Sequence, residues 1–267
     1  MEGRSPMKIS VCGKGGSGKS TLVTLLAKAA QERGFPVLIV DSDESNSGLY
    51  RMLGFKNPPV PLMELVGGKA ALKNKMQAPG IFERPDITVE EIPSPYIQSE
   101  NGLVLVSVGK VLQSFEGCAC PMGVLSREFL KKVHLKENCI AFIDMEAGVE
   151  HFGRGIDEAV DKIILVVEPS FESVNVAEKI RDLAAGMKKK FAAVLNKIPS
   201  EKVAQRLKEE LATKGIETIG TIPNDPFVFD ACLEGRALNQ GEAYHAAVKA
   251  LVPCLKSPAS DFGKVTL

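Results

Sequence analysis

The stretch Lys8-Ile9-Ser10-Val11-Cys12-Gly13-Lys14-Gly15-Gly16-Ser17-Gly18-Lys19-Ser20-Thr21 decides the fold. Its first five residues read as a short buried strand, and residues 13–20 fit G-x-x-x-x-G-K-[S/T], a phosphate-binding loop. The glycines let backbone N–H groups turn inward around a polyphosphate. Lys19 adds a point charge at the β- and γ-phosphates, the Ser20 hydroxyl is placed to ligate Mg²⁺, and Thr21 follows as a further nucleotide contact. A bare pattern of this length occurs by chance. Here a strand precedes it and an amphipathic helix over residues 19–32 follows, which is the context the motif requires.

Gly34 stops that helix, and Pro36-Val37-Leu38-Ile39-Val40-Asp41 is a second apolar strand. Strand, helix, strand in this order implies a parallel sheet with a right-handed crossover. The same rhythm returns with strands over residues 103–108, 139–144, 162–167, 191–196 and 218–222. Helices are expected over 123–133, 173–187, 200–213, 226–233 and 242–255. Unbroken Val/Ile/Leu runs mark strands covered on both faces. The expected fold is therefore α/β: a doubly wound, mostly parallel sheet with helices on both faces. It forms one domain over residues 7–256, with flexible termini at 1–6 and 257–267. Residues 56–102 break the pattern with Pro58, Pro59, Pro61, Pro79, Pro85, Pro93 and Pro95. This reads as an irregular insertion with a short helix over 62–72 and an extended piece over 87–92, too short for a core of its own.

The 267 residues carry 33 basic and 33 acidic side chains, and the neutral balance argues against non-specific nucleic-acid binding. No apolar run is long enough to span a membrane, and the first residues carry no apolar leader, so a cytoplasmic protein with reduced thiols is expected. Most of the six cysteines should be small buried hydrophobes, Cys12, Cys139, Cys232 and Cys254 among them. Cys118-Ala119-Cys120 is different: bounded by glycines and set before a helix, it lies where the thiolate form is favoured. Two thiolates make half of a tetrahedral S₄ site, whose other half a second copy on a two-fold axis would supply; a plain pair of loop thiols or a redox dithiol is the alternative.

Ligands of doubly wound sheets sit at the carboxyl ends of strands, so Asp41, Asp43 and Asp144 should converge on the phosphates. Asp144 suits the outer shell of Mg²⁺, and Asp43 suits orienting an attacking water.

Lys14 departs from the general motif. K-G-G-x-G-K-[S/T] resembles the deviant phosphate-binding loop of the SIMIBI/MinD-like family that includes MinD/ParA ATPases, arsenite-pump ATPases and the nitrogenase iron protein. The resemblance implies ATP hydrolysis in a homodimer, with Lys14 reaching the partner's nucleotide. It also implies an adenine pocket: Asn196-Lys197 on the base edge, and the backbone of Ile222-Pro223-Asn224 discriminating adenine from guanine.

Cys118-Ala119-Cys120, with residues 144–151, Arg154-Gly155 and Val166-Val167-Glu168-Pro169, resembles the CooC-type ATPases, nickel-insertion accessory proteins of carbon monoxide dehydrogenase and acetyl-CoA synthase. The likeness runs from Met7 to about Leu255 and is weakest in the insertion. It implies ATP/ADP and Mg²⁺ as ligands, and Ni²⁺ or Zn²⁺ on Cys118 and Cys120 of two subunits. It further implies a nickel-iron-sulfur client enzyme; the neutral charge leads to no nucleic acid as partner, and residues 244–253, lacking a basic face opposite a bulky apolar one, to no membrane. Glu146 departs from this family, which often has glycine there. Two rivals stand: an electron donor like the nitrogenase iron protein, and a MinD/ParA-type positioning switch.

Overall fold

The structure is a computed structural model, and it describes residues 4–45, 47–68, 84–109, 120–149, 152 and 155–255. The strands are β1 (Met7–Gly13), β2 (Val37–Asp41), β3 (Ile87–Thr88), β4 (Gln98–Glu100), β5 (Leu103–Ser107), β6 (Val133–His134), β7 (Ile140–Asp144), β8 (Lys162–Val167), β9 (Lys190–Ile198) and β10 (Thr218–Pro223). The helices are α1 (Lys19–Glu32), α2 (Leu49–Met52), α3 (Leu62–Leu65), α4 (Cys120–Lys132), α5 (Phe171–Gly186), α6 (Glu201–Thr213), α7 (Pro226–Glu234) and α8 (Glu242–Cys254).

The main sheet has the order β10-β9-β8-β1-β7-β2-β5-β4, and every pairing is parallel except the antiparallel β4–β5 edge. β1 lies between β7 and β8, so β7, β2, β5 and β4 fall on one side of it and β8, β9 and β10 on the other. The crevice beyond the carboxyl end of β1 is thus a topological switch point, where open α/β sheets take their ligands.

Alternation along β1 builds both layers. Ile9 and Val11 face a core shared with Leu22 and Leu26 of α1 and Ala247 and Leu251 of α8. Cys12 faces the opposite core with Leu125 and Phe129 of α4, Ile180 of α5 and Leu207 of α6. Burying side chains of this kind at about 25 cal/mol per Å² of apolar surface is the main stabilising force. Gly34 ends α1 in the left-handed region, φ 81°, and its N–H donates to Gln31 O at 2.9 Å.

The insertion differs from expectation. α3 covers only Leu62–Leu65, and residues 69–83 lie outside the described residues. The expected extended piece is two strand residues followed by a 3₁₀ turn at Val89–Glu91. There the Glu91 carboxylate accepts from the Thr88 N–H, a capping interaction that favours the turn over a longer strand. Leu62, Met63, Val66 and Ile92 join the core beneath α4. Among the described residues no helix is long and apolar enough to cross a membrane.

Candidate nucleotide site

Residues 13–18 leave β1 and turn into α1 as the motif demands. Gly18 has φ 91°, a conformation that L side chains rarely adopt, and an added Cβ would collide with the Asn196 amide. Gly13 is equally confined, because a Cβ there would lie 2.7 Å from Val166 O. The loop is held from below. Asn196 donates from Nδ2 to Ser17 O at 2.8 Å, and Lys197 donates from Nζ to Gly16 O at 2.5 Å.

Glu168 ties two lysines to this loop. Its carboxylate lies 2.9 Å from Lys14 Nζ and 3.3 Å from Lys197 Nζ. Burial works to raise the Glu168 pKa, but the two lysines outweigh it and hold the group below the usual carboxylate range. The hydrogen bond to Glu168, with its charge, raises Lys14 above the ordinary lysine value. Lys14 therefore rests on its own chain in this protomer.

Strand register brings the carboxylates together. Asp144 is paired with Val11 of β1 and with Asp41 of β2, and Ser42 N–H donates to Asp144 O at 3.0 Å. Asp41, Asp43 and Lys19 are buried, and Asp144 is fully so. Both Asp144 carboxylate oxygens lack a hydrogen-bond partner of good geometry. Burial, reinforced by the Asp41 and Asp43 charges, pushes the Asp144 pKa up to about 7, while the nearby Ser20 hydroxyl and Lys19 pull the other way. Asp43 is oriented by Ser45, whose N–H and hydroxyl donate to Asp43 Oδ1 at 2.9 and 2.6 Å. An orphaned, fully buried carboxylate beside a serine hydroxyl fits Mg²⁺, which takes one or two carboxylates and fills its remaining positions with waters and phosphate. Among the described residues no group of three or more His, Cys, Asp or Glu could hold a metal ion unaided.

Above the loop opens a cleft of about 620 Å³, within the range of small-molecule sites. One side is Gly16, Gly18, Lys19, Ser20, Thr21, Asp43 and Lys197. The other is Gly48, Arg51 and Met52 from the α2 region and Cys232–Gly235 from the end of α7. This second side was not foreseen from the sequence, which carries no motif there. It also corrects the reading of Cys232, which is exposed in the cleft, whereas Cys12, Cys139 and Cys254 are buried as expected.

The expected base-pocket residues are distributed differently from one another. Lys197 lines the cleft, but Asn196, Ile222, Pro223 and Asn224 do not. Ile222 is buried in the core, the Asn196 amide is engaged with the loop, and Asn224 N–H donates to Ile198 O at 2.9 Å. Asp225 caps α7 by accepting from Phe227 N–H, and also accepts from Ala243 N–H, each at 2.9 Å. Cys118, His151 and Arg154 lie outside the described residues, as does the side chain of Cys120; the backbone of Cys120 begins α4.

The fold and the loop define a P-loop nucleotide-binding protein. Residues 9–238 match the profile described as CbiA, the CobQ/CobB/MinD/ParA nucleotide binding domain. The chain belongs to that family and is an ATPase of the MinD/ParA type. It is 39% identical over 239 residues, 87% of this chain and 94% of the relative, to an uncharacterized ATP-binding protein of Methanocaldococcus jannaschii. It is 34% identical over 199 residues to the carbon monoxide dehydrogenase accessory protein CooC of Rhodospirillum rubrum, covering 73% of this chain and 75% of that one. In fold it is similar to the septum site-determining protein MinD of Pyrococcus horikoshii, solved with Mg-ADP. That match has a TM-score of 0.67 at 20% identity over 94% of this chain and 96% of the other.

Proposed function

We propose that the protein is an ATP-driven, homodimeric metallochaperone that assists nickel insertion into carbon monoxide dehydrogenase or acetyl-CoA synthase. The observation that carries this reading is the sequence Cys118-Ala119-Cys120, whose last residue begins α4, in a chain 34% identical to the CooC protein of R. rubrum. Nickel is the cargo, held by Cys118 and Cys120 of each of two subunits.

In this reading the amides of residues 13–18 cradle the polyphosphate, and Lys19 sits at the β- and γ-phosphates. Ser20 and Asp43 hold Mg²⁺, with Asp144 in its outer shell. The ion would supply positive charge against the negative charge that develops in phosphoryl transfer. Asp43, already fixed by Ser45, orients the attacking water. Lys14 leaves Glu168 on dimerisation and reaches the partner's nucleotide, as an arginine finger does in trans. Closing two protomers around ATP brings the four thiolates together, and hydrolysis loosens them and releases nickel to the client. Linkage is reciprocal: if ATP strengthens the dimer that binds metal, metal strengthens the ATP-bound dimer by the same factor.

Sedimentation mass with and without Ni²⁺ and with ADP or ATP tests the proposal. A mass that doubles with Ni²⁺ or ATP supports it, and a monomer under every condition refutes it. A brown, EPR-active protein from anaerobic purification would instead support an iron–sulfur electron donor.

A further inference from the structure

Ser126 is a polar residue where the period of α4 asks for an apolar one. Met122, Leu125, Phe129 and Leu130 of that helix are buried in the core, at the spacing of one helical face. Ser126 occupies a position on the same face and is 1% exposed. A hydroxyl so placed is costly unless it is hydrogen-bonded. Its partner belongs to another element: Ser126 Oγ and Ser42 Oγ lie 2.8 Å apart.

Ser42 stands where three elements meet. It lies between Asp41, the last residue of β2, and Asp43. Its N–H donates to Asp144 O at the end of β7, and its hydroxyl meets α4. Asp41 O accepts from Val108 N–H at 2.9 Å, so the backbone just before Ser42 is held as well. The space left between this segment and the helix is about 10 Å³, bounded by Ser42, Glu44, Met122, Ser126, Met145 and Glu146. That is room for one water at most, so the helix and the segment cannot slide past one another without opening the contact.

The other end of the contact leads toward the cysteine pair. Cys120 begins α4, and Ser126 follows six residues later, about 9 Å along the helix axis. The first turn of the helix is itself confined, because a Cβ added at Gly109 would stand 2.5 Å from Met122 Sδ. We propose that Ser126 is a positioning residue for ATP hydrolysis: through Ser42 it holds Asp43 in the geometry that orients the attacking water, and it thereby makes turnover respond to the helix that Cys120 begins. This rests on the roles proposed above for Asp43 and for the cysteine pair. Ser126 touches neither nucleotide nor metal in this account and acts only through Ser42.

The test is steady-state phosphate release by the full chain, for wild type, Ser42→Ala, Ser126→Ala and the double variant, each with and without saturating Ni²⁺. Equilibrium dialysis establishes whether Ni²⁺ is bound. Ser126→Ala is expected to lower kcat about tenfold while KM for ATP stays within about twofold, because the hydroxyl serves alignment and not binding. Ser42→Ala should match it, and the double variant should be no slower than either single one, since both remove the same contact. Val124→Ala trims a half-buried side chain of the same helix and controls for mere loosening; its kcat should stay within about twofold of wild type. Saturating Ni²⁺ should change the wild-type kcat at least about fivefold, and that of the three hydroxyl variants less than about twofold.

A wild-type kcat in Ser126→Ala, additive losses in the double variant, or an equal loss in Val124→Ala overturns the positioning role. A wild type that binds Ni²⁺ with no change in kcat overturns the tie to the helix and leaves the cargo reading intact. A wild type that binds no Ni²⁺ overturns the cargo reading and the tie together, and the double variant then still decides the positioning role.

Discussion

The two sides of the cleft are built by opposite strategies. On the loop side polar groups are tied to one another: Asn196 to Ser17, Lys197 to Gly16 and Glu168, Asp43 to Ser45. On the facing side the side chains are soft and exposed, and backbone links such as Leu238 to Met52 hold the segments. A rigid polar half fixes where charge goes, while the facing half offers exposed side chains. Substitutions should therefore damage activity and stability on the loop side and leave stability little changed on the facing side.

The largest expected effect is on hydrolysis. Lys19→Ala should lower the ATPase rate by roughly a thousandfold, because it removes a charge aimed at the transferring phosphate. A steady-state phosphate-release assay measures it, and a rate within about tenfold of wild type would break the assignment of the loop side.

Gly18→Ala should destabilise the protein by about 1–3 kcal/mol, combining a strained φ with a collision against Asn196. Thermal unfolding should show a Tm several degrees lower, together with loss of nucleotide binding.

Asp144→Asn sharpens the electrostatic side. The folded-state pKa of Asp144 is raised to about 7 from the model-compound value of 3.8, so ionisation is disfavoured in the native state. The nucleotide-free protein thus loses stability from this group as pH rises from about 4 to 7, and loses no more above that. The asparagine variant should be more stable than wild type above pH 7, by up to about 4 kcal/mol, and no more stable below pH 4. Its ATPase activity should fall. Denaturant unfolding at pH 4 and pH 8 checks the sign, and a destabilised variant at pH 8 would contradict it.

Smaller effects separate the sides further. Asn196→Ala should cost about 1 kcal/mol of stability through the lost bond to Ser17 O. Leu233→Ser should stay within about 0.5 kcal/mol of wild type in unfolding, since its side chain is exposed. A substantial loss of stability would show that the wall carries structural weight.

The same contrast explains what could be read in advance. α1 and β8 occur over the residues expected from apolar periodicity, because unbroken Val/Ile/Leu runs and a glycine-bounded helix leave few alternatives. The loop and Asp144 were legible because phosphate chemistry prescribes residue types at fixed spacing. β4 was missed: Gln98-Ser99-Glu100 is polar and follows two prolines, and it pairs only at an antiparallel edge where one face meets water. The Arg51–Leu233 wall joins segments about 180 positions apart with no motif between them, so only the folded chain brings it together. For the cysteines the reading remains a sequence one, since Cys118 and the side chain of Cys120 lie outside the described residues.

The central claim is that the cysteine pair binds the cargo across a dimer. Equilibrium dialysis against Ni²⁺, with metal quantified per protein for wild type and for the Cys118→Ala/Cys120→Ala variant, measures it most directly. One nickel ion per wild-type dimer and none in the double variant is the predicted result; unchanged stoichiometry in the double variant would contradict it.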